Sequence, residues 1–271
     1  MTKLLKAGIF RLKKDIIFWT FIFLTFGLAG ITLLRYSLID GINLDKIINE
    51  FIMYIGLFIA VFISIFVGKE HSQGIIRNKI IVGHSRISIF LSNLFISIIV
   101  SILCEIIYLI IVILIGIPLF GKIQMSLSEF AMIMLNTFLI IISFCSIFNF
   151  ITMICSEITI STTICILLFI AMYIAQGAFS LTAHSTKYIE NALYDENGNK
   201  HIISQELDPN YPGDEKVRIA KILYLSIPQG QAMEIESNTL NSLKQMPVYS
   251  IFFISIINLL GILIFSKKEL K

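Results

Sequence analysis

The chain has 271 residues, 56% of them hydrophobic and only 14% charged, with 22 Phe and a single Trp. A soluble domain carries roughly 25% charged residues and cannot hide this much apolar surface, so the composition excludes a soluble enzyme, a disordered chain and a disulfide-rich secreted domain, and describes an integral membrane protein. The net charge of +3 is no argument for a nucleic-acid partner, and none is expected.

In chain order, residues 1–15 come first. At 100° per residue Leu5, Ile9, Leu12 and Ile16 share a stripe, with Lys3, Lys6, Lys13 and Lys14 opposite and Phe10 off the stripe. The pattern predicts an amphipathic helix lying in the membrane interface. Six apolar stretches follow, at residues 16–34, 47–67, 87–116, 130–155, 158–181 and 248–265. Each approaches or exceeds the roughly 20 residues that cross a bilayer as a helix, the only open-ended element whose backbone is satisfied within itself. No alternating pattern suggests a barrel. The first stretch is too long for the core of a signal peptide, and no small-residue cleavage site follows it.

Twelve basic residues flank the spans on one side: Lys3, Lys6, Arg11, Lys13, Lys14, Lys69, Arg77, Lys79, Arg86, Lys267, Lys268 and Lys271. Three lie in the short loops opposite, namely Arg35, Lys46 and Lys122. Positive flanks stay inside, which predicts a multi-pass plasma-membrane protein with both termini cytoplasmic.

Residues 68–86 form the one sizeable cytoplasmic loop. Gly74 and Gly83 bracket a unit containing Ile75, Ile76, Ile80 and Ile81 around Arg77, Asn78 and Lys79. This predicts a helix of about two turns stopped by Gly83, with Ser85 capping the next span. Isoleucines in a solvated loop imply a covered face, either against the chain's own helices or against a partner.

Residues 182–247 form an external insertion that is too long for a tight connection. An Asn197, Gly198 step suggests a turn or hairpin. Asp214 is expected to cap one helix, and residues 232–243 to form a second amphipathic stretch after Pro228, Gln229 and Gly230. The expected product is a small cap of short helices.

Little in the chain reads as chemistry. Gly83, His84, Ser85, Arg86 and Ile87 miss the G-x-S-x-G nucleophile elbow at the fifth position. Cys104, Cys145, Cys155 and Cys165 lie in or beside spans and read as small apolar residues. The histidines His71, His84, His184 and His201 show no metal-ligand spacing. No phosphate-binding loop occurs, so any ATP is bound by another chain. Glu105 is the one charge deep in a span; it is an intramembrane site candidate, or a helix contact with Asn136, Asn149 or Ser143.

The order of these parts resembles an ABC-2 type permease. The local residues agree: Val67, Gly68, Lys69 and Glu70; then Gly74, Ile75, Ile76, Arg77, Asn78 and Lys79; then Gly83, His84, Ser85 and Arg86. They are similar to the family's acidic residue, its G-[TS]-[IL]-[RK] step and a following Ser-Arg, with Ile75 where Thr or Ser is commoner. The resemblance implies an all-α integral membrane protein of six transmembrane helices in one domain. It implies an N-terminal elbow helix, a cytoplasmic coupling helix and an external helical insertion between helices five and six. It further implies a non-enzymatic transport subunit that pairs with a second permease subunit, as a homodimer or heterodimer, and docks a separate ATP-binding-cassette ATPase carrying ATP and Mg. The ATPase-docking residues are then Glu70, Gly74, Ile75, Ile76, Arg77, Asn78, Lys79 and Ile80, with the apolar side of Ile75, Ile76 and Ile80 entering the ATPase. The implied activity is export of an amphipathic or hydrophobic substrate, a peptide or a lipid-like molecule drawn from the membrane lipid. A secondary transporter, a membrane-embedded enzyme and a non-transporting anchor or immunity protein are the alternatives.

Overall fold

A computed structural model describes residues 1–39, 41–194, 200–237 and 242–268. Helix α1 (Thr2–Lys14) lies against the bundle. Asp15 breaks it and accepts a hydrogen bond from the Ile17 N–H at 3.1 Å, capping α2 (Ile16–Ser37). The short α3 (Leu44–Ile48) leads into α4 (Phe51–Ser72), and α5 (Ile75–Ile81) follows it. Then come α6 (Arg86–Phe120), α7 (Leu127–Ile154) and α8 (Ile158–Ala183). An antiparallel hairpin of β1 (Tyr188–Tyr194) and β2 (Lys200–Leu207), α9 (Asp214–Ser226) and α10 (Pro228–Glu236) precede the final α11 (Met246–Lys267). Among the described residues, six helical segments are long and apolar enough to cross a membrane: Ile16–Ser37, Leu44–Ser72, Arg86–Phe120, Leu127–Ile154, Ile158–Ala183 and Met246–Lys267.

The packing of α4 on α7 forms the centre. Of these six segments, the one ending in α4 is the most enclosed, with 67% of its apolar stretch buried against 17% for α8 and for α11. Helix α4 packs on α7, α8, α6 and α2, and α11 packs on α7 and α6. Between helices in lipid the hydrophobic effect gives little, so shape complementarity must hold them. Aromatic rings supply much of it. Phe51 stacks on Tyr108 at 4.9 Å, and Phe21 meets Phe58 and Phe62 edge-on at 5.5 and 5.6 Å. Gly56 makes room for two further rings, Phe144 and Phe169. A Cβ there would stand 2.7 Å from the Phe169 ring and 2.8 Å from that of Phe144. Gly56→Val is therefore expected to force α4 away from α7 and α8, costing about 1–3 kcal/mol as an overpacked core. A lowered thermal midpoint in detergent checks this.

Three sequence expectations change here. The buried stripe of α1 is Leu4, Gly8 and Leu12, whereas Ile9 and Ile16 are exposed. Gly8 brings α1 so close to α6 that a methyl group would overlap Ile96. The insertion is not purely helical, because it contains the β1–β2 hairpin; the expected turn at Asn197 and Gly198 lies outside the described residues. Gly213, not Asp214, occupies the N-cap of α9, and Asp214 opens its first turn. There the Asp214 carboxylate accepts the Tyr211 hydroxyl at 2.6 Å and sits 3.5 Å from Lys187, and the two hold its pKa below the ordinary value.

Pro228, Gln229 and Gly230 are not a break before a later helix. They form the first turn of α10, with Pro at a position that needs no N–H. Helix α10 is nearly all buried against α8, α4, α7 and α9. Gly230 lies against the Tyr224 carbonyl where no side chain fits. The α10 side chains tie it to α9 and to the last span: Gln231 donates to Leu225 O at 2.6 Å and accepts from Ser250 at 2.7 Å. Glu234 pairs with His184 at 3.1 Å.

Candidate functional site: the charged corner between α4 and α5

The end of α4 places Glu70 on the inner side of the corner. Gly74 then adopts φ +67, a left-handed conformation that turns the chain directly into α5. At the far end the Gly83 N–H bonds Ile80 O at 2.9 Å and the His84 N–H bonds Lys79 O at 3.0 Å, with Gly83 at φ +97. This is the paired Schellman closure that an αL glycine permits. Ser85 then caps α6 by accepting from the Ser88 N–H at 3.2 Å. The sequence expectation for this short helix, its glycine stop and its following cap therefore holds residue by residue.

The corner closes around one carboxylate. Glu70 Oε1 accepts from Arg11 of α1 at 2.6 Å and from Lys79 of α5 at 2.6 Å. Its Oε2 accepts from Asn93 of α6 at 2.8 Å. The carboxylate is 2% exposed, Lys79 15% and Arg11 26%. Four elements thus meet at one side chain. Burial pulls the Lys79 pKa down, and the Glu70 charge opposes that shift. The Arg11 guanidinium also lies 4.0 Å from the centroid of the Phe66 ring and donates to Phe66 O at 3.4 Å. A carboxylate already holding three donors is a joint, not a general base.

The same end of the bundle carries further ties. Lys69 pairs with Asp15 at 3.1 Å. Arg86 donates to the carbonyls of Phe265 at 3.2 Å and Ser266 at 3.1 Å, and also to Lys268, which closes the open C-terminus of α11. Helix α1 and the end of α11 therefore lie on the side that bears α5.

The proposed docking residues divide into two sets. Glu70 and Ile76 are 1% exposed and face the chain's own interior, and Lys79 is turned to Glu70. Gly74, Ile75 and Ile80 are half-buried, while Arg77 and Asn78 are exposed. The covered face inferred from the isoleucines is thus packed on this chain. The apolar pair left outside is Ile81 at 74% and Val82 at 77%. Sequence reasoning missed Arg11 and Asn93. The only signal for Arg11 is its being the one Arg in a leader of lysines, a residue suited to a bidentate, partly buried pair.

Glu105 of α6 is 2% exposed, and its Oε2 has no hydrogen-bond partner. The suggested partners do not reach it. Asn136 donates to Met132 O and Leu243 O, Asn149 to Phe90 O and Ser143 to Leu139 O. Cys104, Cys145 and Cys165 are buried free thiols. Among the described residues no three His, Cys, Asp or Glu side chains stand close enough to hold a metal ion. Neither family models nor curated proteins match the chain.

Proposed function

We propose that this chain is the permease subunit of an ABC-2 type exporter. It pairs with a second permease subunit in the plasma membrane and moves an amphipathic or hydrophobic substrate with ATP hydrolysed on a separate subunit. Both termini face the cytoplasm in this reading, in keeping with the twelve-to-three distribution of basic flanks. The observation that carries the reading is α5. It is a short helix between two spans, closed at both ends by left-handed glycines, and bolted to α1, α4 and α6 through Glu70. Such a body transmits a push as a unit. An ATPase gripping Arg77, Asn78, Ile81 and Val82 would move α5 and, through the Glu70 joint, tilt the spans behind it. The weakly covered α8 and α11 leave apolar faces along which a membrane-borne substrate can travel.

The test is reconstitution. The purified chain is placed in lipid vesicles with the ATPase encoded by its neighbouring reading frame, and ATP hydrolysis is measured. Stimulated hydrolysis supports the reading, and an ATPase that neither binds nor responds refutes it.

A second reading, a proton-coupled carrier, draws on the unpaired Oε2 of Glu105. Glu105→Gln separates the two. The amide keeps a donor and an acceptor but carries no titratable proton. ATP-driven transport is expected to survive it at near the parent rate. Loss of transport with normal membrane insertion would favour the carrier.

A further inference from the structure

We propose that the corner between α1, the start of α2 and the end of α4 is a binding site for the phosphodiester headgroup of an anionic membrane lipid. The inference stands apart from the transport reading, because it needs only the chain's residence in a bilayer.

A cleft of about 370 Å³ opens there, lined by Arg11, Lys14, Asp15, Ile16, Lys69 and Gln73. Three of these six are cations and one is a carboxylate. Asp15 is already committed twice, to the Ile17 N–H at 3.1 Å and to Lys69 at 3.1 Å. The neighbouring Glu70 is shared by Arg11 and Lys79, so it neutralises one of two charges. Lys14 has no acidic partner among the described residues; its ammonium lies 4.4 Å from the centroid of the Phe10 ring. The corner is left two positive charges in excess. Arg11 adds a buried Nε that has no acceptor, a donor for which the protein supplies no oxygen. An anion with several oxygens would balance that positive excess, and arginine and lysine bind phosphate by fork and by point charge respectively.

The depth of the cleft says where that phosphate comes from. The only Trp of the chain, Trp19, is 58% exposed one turn into α2, and its indole N–H donates to Lys13 O at 3.0 Å. An exposed Trp with its N–H turned to a polar group marks the level of the headgroups. Phe10 at 63% and Ile16 at 75% exposure flank the cleft with apolar surface fit for acyl chains. A basic pocket beside spans at that level is the arrangement that holds anionic lipid.

The experiment uses the full chain reconstituted in mixed phosphatidylglycerol and phosphatidylcholine vesicles, extracted in neutral detergent, with retained lipid read by native mass spectrometry. The parent should retain phosphatidylglycerol over phosphatidylcholine. Lys14→Gln, at an exposed side chain whose contact is with the exposed Phe10 ring, should reduce that retention about five-fold, and Lys14→Gln with Lys69→Gln further. Lys3→Gln with Lys6→Gln removes two charges from the same helix outside the cleft and should leave retention near the parent's. Equal loss in both double variants would reduce the effect to general surface charge and overturn the site. Parent protein that does not discriminate the two lipids would overturn it as well. Retention of glycerophosphate equal to that of the lipid would overturn the lipid assignment in favour of a free phosphate.

Discussion

Glu70→Ala is expected to release α5 from the bundle. The substitution removes the acceptor shared by Arg11, Lys79 and Asn93 and leaves two cations facing each other in a largely covered corner. Breaking a buried pair in this way costs about 3–5 kcal/mol, mostly from the uncompensated charge left behind. The partial exposure of Arg11 and Lys79, 26% and 15%, places the result towards the lower end, since both can turn to water. Glu70→Gln restores hydrogen-bond acceptance at one oxygen without the charge and should recover only part of the loss. The measurements are the thermal midpoint in detergent and trypsin cleavage after Lys79, which is 15% exposed in the parent and should become accessible. A parent-like midpoint with α5 still protected would show that the helix is held by Ile76 packing alone.

The second large effect separates two isoleucines on one short helix. Ile81 is 74% exposed and Ile76 is 1% exposed. Ile81→Asp buries nothing in the isolated chain, so stability should stay within about 0.5 kcal/mol of the parent. In the proposed complex it places an unpaired charge at the apolar contact. If Ile81 is an anchor there, the loss is at least about 2 kcal/mol, roughly thirty-fold in ATPase recovery. Ile76→Asp behaves differently. It puts a carboxylate into the chain's own core and should lower the melting temperature together with any ATPase binding. Co-purification and thermal unfolding, measured on both variants, make the distinction. Full ATPase recovery with Ile81→Asp would remove α5 as the docking element.

These two residues show how far the sequence is legible. Period and composition placed six spans within a few residues, and the paired glycines bounded α5, because those features are local. What the hydrophobic pattern cannot supply is which neighbour an apolar side chain meets, and so Ile76 read as available to a partner. The leader shows the same limit from another side. Gly8 contributes nothing to an amphipathic count, yet its missing side chain is what lets α1 meet Ile96, and the buried stripe runs through Leu4 and Leu12 beside it. The family resemblance assigns Glu70 to ATPase docking, and its role as an internal joint is not legible in the sequence because two of its three partners, Arg11 and Asn93, stand 59 and 23 residues away. For α10, a helix expected to follow Pro228, Gln229 and Gly230 starts at Pro228 itself, since a proline can precede a helix or open its first turn and packing on α8 and α4 decides.

The Glu70 joint also has a history within each molecule. Its partners leave the ribosome in a fixed sequence: Arg11 first, Glu70 59 residues later, Lys79 nine residues after that, and Asn93 23 residues beyond Glu70. At synthesis rates of about 5–20 residues per second the Arg11 side chain waits roughly 3–12 seconds for its carboxylate. During that interval the leader has α2 beside it but no α4 or α6 to pack on. Lys79 meets Glu70 next, as a near neighbour in the chain, and the arrival of Asn93 with α6 completes the set. The leader and α2 are therefore both made before any element that holds Arg11 exists, and a chain cut short before α6 would lack the Asn93 contact.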